Sequence, residues 1–315
     1  MHILITGAAG NMGSLLARHL LASPHRLRLL VHRTPLPFDA SVHPKASVCR
    51  ADLGDPATLA DPCRDIDCIV HFAGVLFAPR PEKFLPRTNV GYVENLLAAA
   101  RAAGVRKLVL VSFPHVEGES SPERPAMGRM DGTPGSEHAR TRLLAEKRLF
   151  AACDGTPMVP VVLRVGAVYA RGVKMVEAAR WLLRHRLLAV WRRPTWEHLL
   201  ALPDFHAAAV AAIEGEHVSG VYNLGDDEPV TLQEFLDTVA GHWGLPRPWR
   251  LPRWCFPLAG AGCEAFAALF GTAAPLTRDF VTIGMASTWA DTSRMKRELL
   301  PRLAYPSLRE GLVLL

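Results

Sequence analysis

Thr6-Gly7-Ala8-Ala9-Gly10-Asn11-Met12-Gly13 follows a short apolar run, His2-Ile3-Leu4-Ile5, and leads into helical apolar spacing at residues 13–22. An apolar run closed by glycines and followed by a helix reads as a buried strand entering a helix. The spacing of the glycines has a physical reason. Gly7 permits a tight turn, Gly10 lets backbone come close to a pyrophosphate, and Gly13 lets the helix pack against the strand. With Asn11 and Met12 between them, the turn presents the free N–H groups of a helix N-terminus to an anionic group. The stretch therefore reads as a dinucleotide site rather than a plain strand–helix turn.

Outward from this turn, strand-like runs at 27–32, 46–50, 66–72, 106–112 and 158–164 alternate with helical patterns at 55–63, 88–103 and 136–153. The runs are apolar on both faces, which predicts a parallel sheet covered on both sides by helices. The expected fold is α/β, a Rossmann-type doubly wound parallel sheet with a smaller C-terminal substrate lobe. Residues 1–165 form the expected NAD(P)-binding domain. Residues 166–315 form the lobe, with helices at 173–187, 204–215 and 231–243, interleaved with the end of the sheet through a strand at 219–224. Residues 113–135 are rich in breakers and read as a long loop, functional or mobile. Residues 254–270 are apolar but interrupted by Pro257, Gly260, Gly262 and Glu264. They fall short of the roughly 20 residues a spanning helix needs. They read as a core or interface helix, or more sharply as a peripheral membrane contact or a lid over an apolar substrate.

Composition narrows the class. The chain has 315 residues, 36 basic and 30 acidic, for a net charge of +6, with 49% hydrophobic and 21% charged residues. That is a folded composition, with neither the low hydrophobicity of a disordered chain nor a collagen-like repeat. The basic residues alternate with acidic ones and form no block, so no nucleic-acid partner is expected. The six cysteines, at 49, 63, 68, 153, 255 and 263, have no zinc-ligand spacing, and no metal is expected. Scattered cysteines, and a start without a charged segment ahead of a long apolar one, point to a cytoplasmic location.

The end of the second strand bears on the cofactor. An acidic residue there would bind the adenosine ribose diol, but the chain has His32-Arg33. Arg33 suits a 2′-phosphate, so NADP(H) is favoured over NAD(H). Asp52-Leu53 would set a carboxylate against the adenine amino group, and Phe72-Ala73-Gly74 would pass close under the cofactor.

These residues resemble the extended short-chain dehydrogenase/reductase superfamily, NAD-dependent epimerase/dehydratase type, over nearly the whole chain. His71 to Gly74, Asn89 with its helix, Leu163 to Tyr169, Val221 to Gly225 and Asp291-Thr292-Ser293 fit its pattern. Residues 254–270 and Pro275-Leu276-Thr277 resemble, more loosely, the 3β-hydroxysteroid dehydrogenase-like branch, which implies an apolar small-molecule substrate. The resemblance also implies Asn89 in the cofactor site, a homodimer through the helices at 88–103 and 136–153, and a catalytic Ser/Thr, Tyr and Lys. In that set the tyrosine moves the proton, and the lysine four residues on lowers its pKa and holds the nicotinamide ribose.

Here the catalytic set departs from the family. None of Tyr92, Tyr169, Tyr222 and Tyr305 has a lysine four residues later. Matching Leu143-Leu144-Ala145-Glu146 to the family's helix puts His138 at the tyrosine position and Arg142 at the lysine position. Phe113 takes the serine position, one residue after Ser112. The candidate catalytic residues are therefore His138, Arg142 and Ser112, with His115 and Glu117 as further acid–base candidates. His138 and Arg142 share one helix face. A cation there should hold the imidazole neutral as a proton acceptor, suited to alcohol oxidation or proton abstraction, while Arg142 also binds ribose. The expected function is an atypical NAD(P)-dependent oxidoreductase or epimerase-like enzyme acting on a small or apolar alcohol or carbonyl compound. The alternatives are a catalytically silent NADP-binding sensor or assembly protein, and a non-redox isomerase or cyclase that retains the nucleotide.

Overall fold

The computed structural model describes residues 1–72, 74, 81–272, 274 and 276–315; Ala73 and Pro275, singled out above, lie outside them. The first half runs β1 (His2–Thr6), α1 (Asn11–Leu21), β2 (Arg26–Val31), β3 (Ala46–Arg50), α2 (Ala60–Cys63), β4 (Cys68–His71), α3 (Pro81–Leu85), α4 (Tyr92–Ala102), β5 (Lys107–Ser112), α5 (Glu137–Cys153) and β6 (Val159–Val165). The second half runs β7 (Ala167–Tyr169), α6 (Lys174–Arg184), β8 (Ala189–Trp191), β9 (Trp196–Glu197), β10 (Leu199–Ala201), α7 (Leu202–Glu214), β11 (Gly220–Leu224), β12 (Val230–Thr231), α8 (Leu232–His242), β13 (Trp249–Leu251), α9 (Cys255–Phe270), α10 (Arg278–Met285), α11 (Ser293–Glu298) and α12 (Leu308–Gly311).

Among the described residues the main sheet has seven strands in the order β3-β2-β1-β4-β5-β6-β11, and every pairing is parallel. Alternating side chains divide the interior in two, as a period of two requires. Ile3, Ile5, Leu29 and Val70 face one layer with α1 and α7. Leu4, Leu30, Ile69 and Leu108 face the other, with α2, α4 and α5. Strand order reverses between β1 and β4, and in such sheets ligands bind at the carboxyl ends on either side of the reversal. There Thr6 Oγ1 and His71 Nδ1 sit 2.8 Å apart, both residues fully buried. Lys107, buried at the start of β5, donates from Nζ to the carbonyls of Ala212, Ile213 and Gly215 at the end of α7. A cation is favoured at a helix C-terminus, and this contact ties the two halves together.

Several expectations change in detail. The helix expected at 55–63 is a 3-10 turn, Pro56–Thr58, and the short α2, because Pro56 and Pro62 interrupt it. The helix expected at 88–103 begins as a π-helical turn, Pro86–Gly91, before α4. The stretch 113–135 is fastened rather than loose. Ser120 N donates to Ser287 O at 2.9 Å and Ala126 N to Trp289 O at 2.8 Å. The small strands pair as β7–β10, β9–β12 and β8–β13, and each is too short to leave a readable period. The apolar run 254–270 does form a helix, α9, but only Gly260 and Ala267 on it are buried, so it is not a core helix.

A Cβ on Gly13 would lie 2.3 Å from the carbonyl oxygen of Gly7, whereas one on Gly91 meets nothing within 4 Å. Gly13→Ala is therefore expected to lower the unfolding free energy by about 1–3 kcal/mol, as overpacking against backbone does. Gly91→Ala should be neutral or stabilising by up to about 1 kcal/mol. Urea unfolding of both variants checks this; equal effects would refute the close approach at Gly13.

Candidate active site

The turn after β1 has the geometry its glycines suggested. Gly7 has φ +72°, and Gly10 N donates to Gly7 O at 2.8 Å. No side chain caps the N-terminus of α1, so its first N–H groups remain available to an anion. Met12 packs against the first core layer. The Asn11 side chain is engaged elsewhere. Its Nδ2 donates to Gly172 O and its Oδ1 accepts from Lys174 N, both at 2.8 Å, which locks the segment before α6 over the turn.

His32 and Arg33 sit at the exposed end of β2. Arg33 makes no hydrogen bond or ion pair among the described residues. The strand end itself carries no carboxylate, but one from the next strand reaches this corner, with Asp52 Oδ2 3.7 Å from His32 Nε2. Strands β2 and β3 are neighbours, so the residues after them meet. Asp52 Oδ1 accepts from Gly54 N at 2.8 Å. The Leu53 side chain is buried in the second core layer, and its carbonyl accepts from Asn95 Nδ2. The Phe72 ring stands edge-on to Phe205, 6.2 Å between centroids, so it faces the core beneath α7.

Past the strand-order reversal, β4, the π-helical turn and α5 bring Gly74, Asn89, His138 and Arg142 together. A Cβ on Gly74 would lie 2.6 Å from Arg142 Nη2 and 3.3 Å from Asn89 Oδ1. Arg142 is 6% exposed, and its Nε and Nη1 have no partner among the described residues; nor has Asn89 Oδ1. Buried donors left in this way cost about 1–3 kcal/mol each. Ribose hydroxyls of a dinucleotide lying across the Gly7–Gly13 turn would satisfy donors and acceptor alike, so the residues present fit such a group. Burial lowers the Arg142 guanidinium to about 10, against the opposing pull of Glu146.

The Thr141 hydroxyl and the Asn89 amide stand beside the His138 ring. The hydroxyl proton goes to Glu137 O at 2.8 Å, so the oxygen accepts from Asn89 Nδ2 at 2.9 Å. The same amide nitrogen lies 3.5 Å from His138 Nδ1. With Asn89 Nδ2 donating to Nδ1, the ring hydrogen would sit on Nε2. The imidazole pKa is lowered to about 3, by burial first, then by Arg142 and His115. His138 is thus neutral as expected, but burial outweighs the cation. Burial likewise lowers His71 to about 3, with Arg142 adding to it.

The remaining candidates are engaged in other contacts. Ser112 Oγ donates to Glu146 Oε1 at 2.5 Å. Burial raises the Glu146 carboxyl against the pull of Arg164, whose Nη2 bonds Oε2 at 2.7 Å. Glu117 accepts from Arg164 Nη1 and Gly128 N, each at 2.6 Å, so its oxygens hold the loop. His115 packs against Phe113, 5.3 Å between centroids, and Phe113 against His138 at 5.2 Å. Burial brings the His115 pKa down to about 4. Sequence reasoning missed three residues. Thr141, three residues after His138, was findable from helix spacing. Arg164 was findable as a lone charge in an apolar strand. Asp279 left no local signal, yet its carboxylate accepts from the N–H groups of Glu137 and His138 at 2.8 and 3.2 Å, anchoring the start of α5.

Comparison with known proteins bears on family and fold. Residues 3–225 match the profile described as the NAD dependent epimerase/dehydratase family. The chain is 26% identical to the 2-alkyl-3-oxoalkanoate reductase of Stenotrophomonas maltophilia (strain K279a), over 78% of this chain and 77% of that protein. It is 29% identical to the UDP-glucose 4-epimerase of Streptomyces lividans, over 86% and 88%. Among solved structures, MoeE5 in complex with UDP-glucose and NAD superposes with a TM-score of 0.77 at 24% identity, over 100% of this chain and 97% of that one, a likeness of fold. No helix among the described residues is long and apolar enough to cross a membrane.

His138 titrates far below its ordinary value of 6.5 in the folded chain. Below 6.5 the unfolded chain binds a proton that the folded chain refuses, so stability falls as pH falls. Its contribution reaches at most about 1.4 kcal/mol per pH unit. The unfolding free energy of His138→Gln should therefore decline less steeply from pH 6.5 towards about pH 5 than that of the parent chain. Parallel urea-unfolding curves at the two pH values would exclude a buried neutral imidazole.

Proposed function

The chain belongs to the NAD dependent epimerase/dehydratase family, and from that premise we propose that it is an NAD(P)-dependent oxidoreductase of a small or apolar carbonyl or alcohol compound, with His138 in place of the family's tyrosine. The observation that carries the proposal is the meeting beside Gly74 of Asn89 and of Arg142, whose Nε and Nη1 have no partner among the described residues, with His138 Nδ1 3.5 Å from the Asn89 amide.

The turn at Gly7–Gly13 would hold the pyrophosphate. Arg142 and Asn89 Oδ1 would hold the nicotinamide ribose. His32, Arg33 and Asp52 would face the adenosine end, with Arg33 favouring a 2′-phosphate. A bound nicotinamide supplies the hydride chemistry. The protein's own part is orientation and hydrogen bonding. Nε2–H of a neutral imidazole would hydrogen-bond the substrate oxygen and polarise a carbonyl, the alkoxide formed by hydride addition taking its proton from solvent water, and Asn89 would hold the ring. Arg142 adds positive potential where negative charge grows on that oxygen. Donation to a carbonyl suits reduction, the direction in which NADP(H) ordinarily serves. Similarity to the reductase of 2-alkyl-3-oxoalkanoates supports an alkyl-bearing carbonyl compound. A homodimer through residues 88–103 and 136–153 is part of the same reading.

Purified protein should consume NADPH with at least one member of a panel of 3-oxo acids and alkyl ketones. His138→Phe should lower kcat by about 10²–10⁴-fold. Arg33→Ala should lower the preference for NADPH over NADH by about tenfold or more, while leaving NADH affinity unchanged. Turnover that survives His138→Phe removes the assigned role. Protection from heat by the nucleotide without any turnover would favour the silent binder instead.

A further inference from the structure

A helix at a protein surface ordinarily shows water a polar face. Helix α9 does not. Trp254, Leu258, Phe266, Leu269 and Phe270 are 66%, 63%, 58%, 77% and 60% exposed. Glu264 is the sole charged residue between 254 and 271, and it is turned inward. Its carboxylate accepts from Arg278 N at 2.7 Å and pairs with Arg278 Nε at 2.8 Å. The exposed apolar surface continues on the neighbouring elements. Trp249 is 59% exposed, and its Nε1 donates to Arg186 O, next to the 61% exposed Leu187. An apolar patch of this extent marks an interaction surface.

We propose that α9 and its flanks dock the protein on an anionic phospholipid surface. The charge around the patch selects this occupant. Arg247, Arg250 and Arg253 lie within the seven residues before Trp254. Pairing of β13 with β8 brings the segment containing Arg192 and Arg193 alongside. At the root of the helix a cleft of about 290 Å³ is lined by Arg124, Arg193, Arg253, Trp191 and Trp196, with Glu119 as its one carboxylate. Arg250 is paired with Asp237 at 2.7 Å, so Arg247 and Arg253 carry the charge of this segment that no carboxylate among the described residues pairs.

Tryptophan at the level of the headgroups, phenylalanine and leucine below them, and arginine against phosphate is the arrangement of an interfacial helix. A second copy of the chain meeting this patch through a two-fold axis would set arginines against arginines. Phe256 stands edge-on to Trp191 at 5.2 Å and pins the root of the helix. Helix α9 rests on α10, whose Asp279 holds the start of α5, so the docking face lies one helix away from His138. The surface is independent of any turnover at that site.

The test uses the full chain with vesicles of phosphatidylcholine alone, or with about 30% phosphatidylglycerol. The protein should sediment with the anionic vesicles, and less so at high salt. Leu258→Ser/Phe266→Ser/Leu269→Ser should weaken that binding by about tenfold or more. Its melting temperature should match the parent's, since all three side chains are exposed. Arg193→Gln/Arg247→Gln should weaken binding by about fivefold per arginine on anionic vesicles only. Failure of the parent to sediment with anionic vesicles overturns the proposal, as does unchanged sedimentation of both variants. A parent dimer that the triple variant converts to monomer, without vesicle binding, also overturns it in favour of a second copy.

Discussion

A guanidinium group without access to water organises the site. Arg164 in β6 bonds Glu146 of α5, Glu117 of the turn after β5, and the carbonyl of Arg129. It joins the sheet, the helix that carries His138 and Arg142, and the loop 113–135. Glu146 lies four residues beyond Arg142 and eight beyond His138, so the pair sets the roll of α5 about its axis. The magnitudes argue that its role is orientation. Buried ion pairs replaced by well-packed apolar groups often lose no stability, whereas removing one partner costs about 3–5 kcal/mol. The loop that composition marked as irregular owes its order to the same hub, because Glu117 also accepts from Met127 and Gly128.

The sheet was legible because its signals are local. Strands apolar on both faces, helices between them and three glycines at one strand end require no knowledge of distant contacts. Strand order and the position of the reversal became visible only in the strand pairing. The second half was less legible. Strands of two or three residues, such as β9 and β12, exist only through their partners. For the site, helix spacing alone placed His138 and Arg142 on one face. It could not reveal that Thr141 and Asn89 orient the ring, because Asn89 comes from a π-helical turn 49 residues earlier. Nor could it show Asp52 reaching the corner of His32, since that depends on β2 and β3 being neighbours.

The site has an uncommon electrostatic character. Two neutral imidazoles, His71 and His138, flank a buried cation whose Nε and Nη1 have no protein partner among the described residues. Glu146, the carboxylate below it on the helix, is occupied by Arg164 and Ser112. The field at the end of β4 is therefore positive and directed at the space over Gly74. In the family pattern a phenol and an ammonium divide proton transfer and ribose binding. In the function proposed above the imidazole would take the first place as a fixed dipole, and the guanidinium the second with a planar set of donors.

The side chain of Asn11 has a consequence for the making of the protein. It clasps Gly172 and Lys174, the former 161 positions later in the chain. During synthesis the entrance to the first helix stays open-sided until that distant segment leaves the ribosome, a lag of roughly 10–30 s at ordinary elongation rates. The earliest-made loop is thus among the last to be locked, and a nascent chain carries its glycine turn well before that turn is latched.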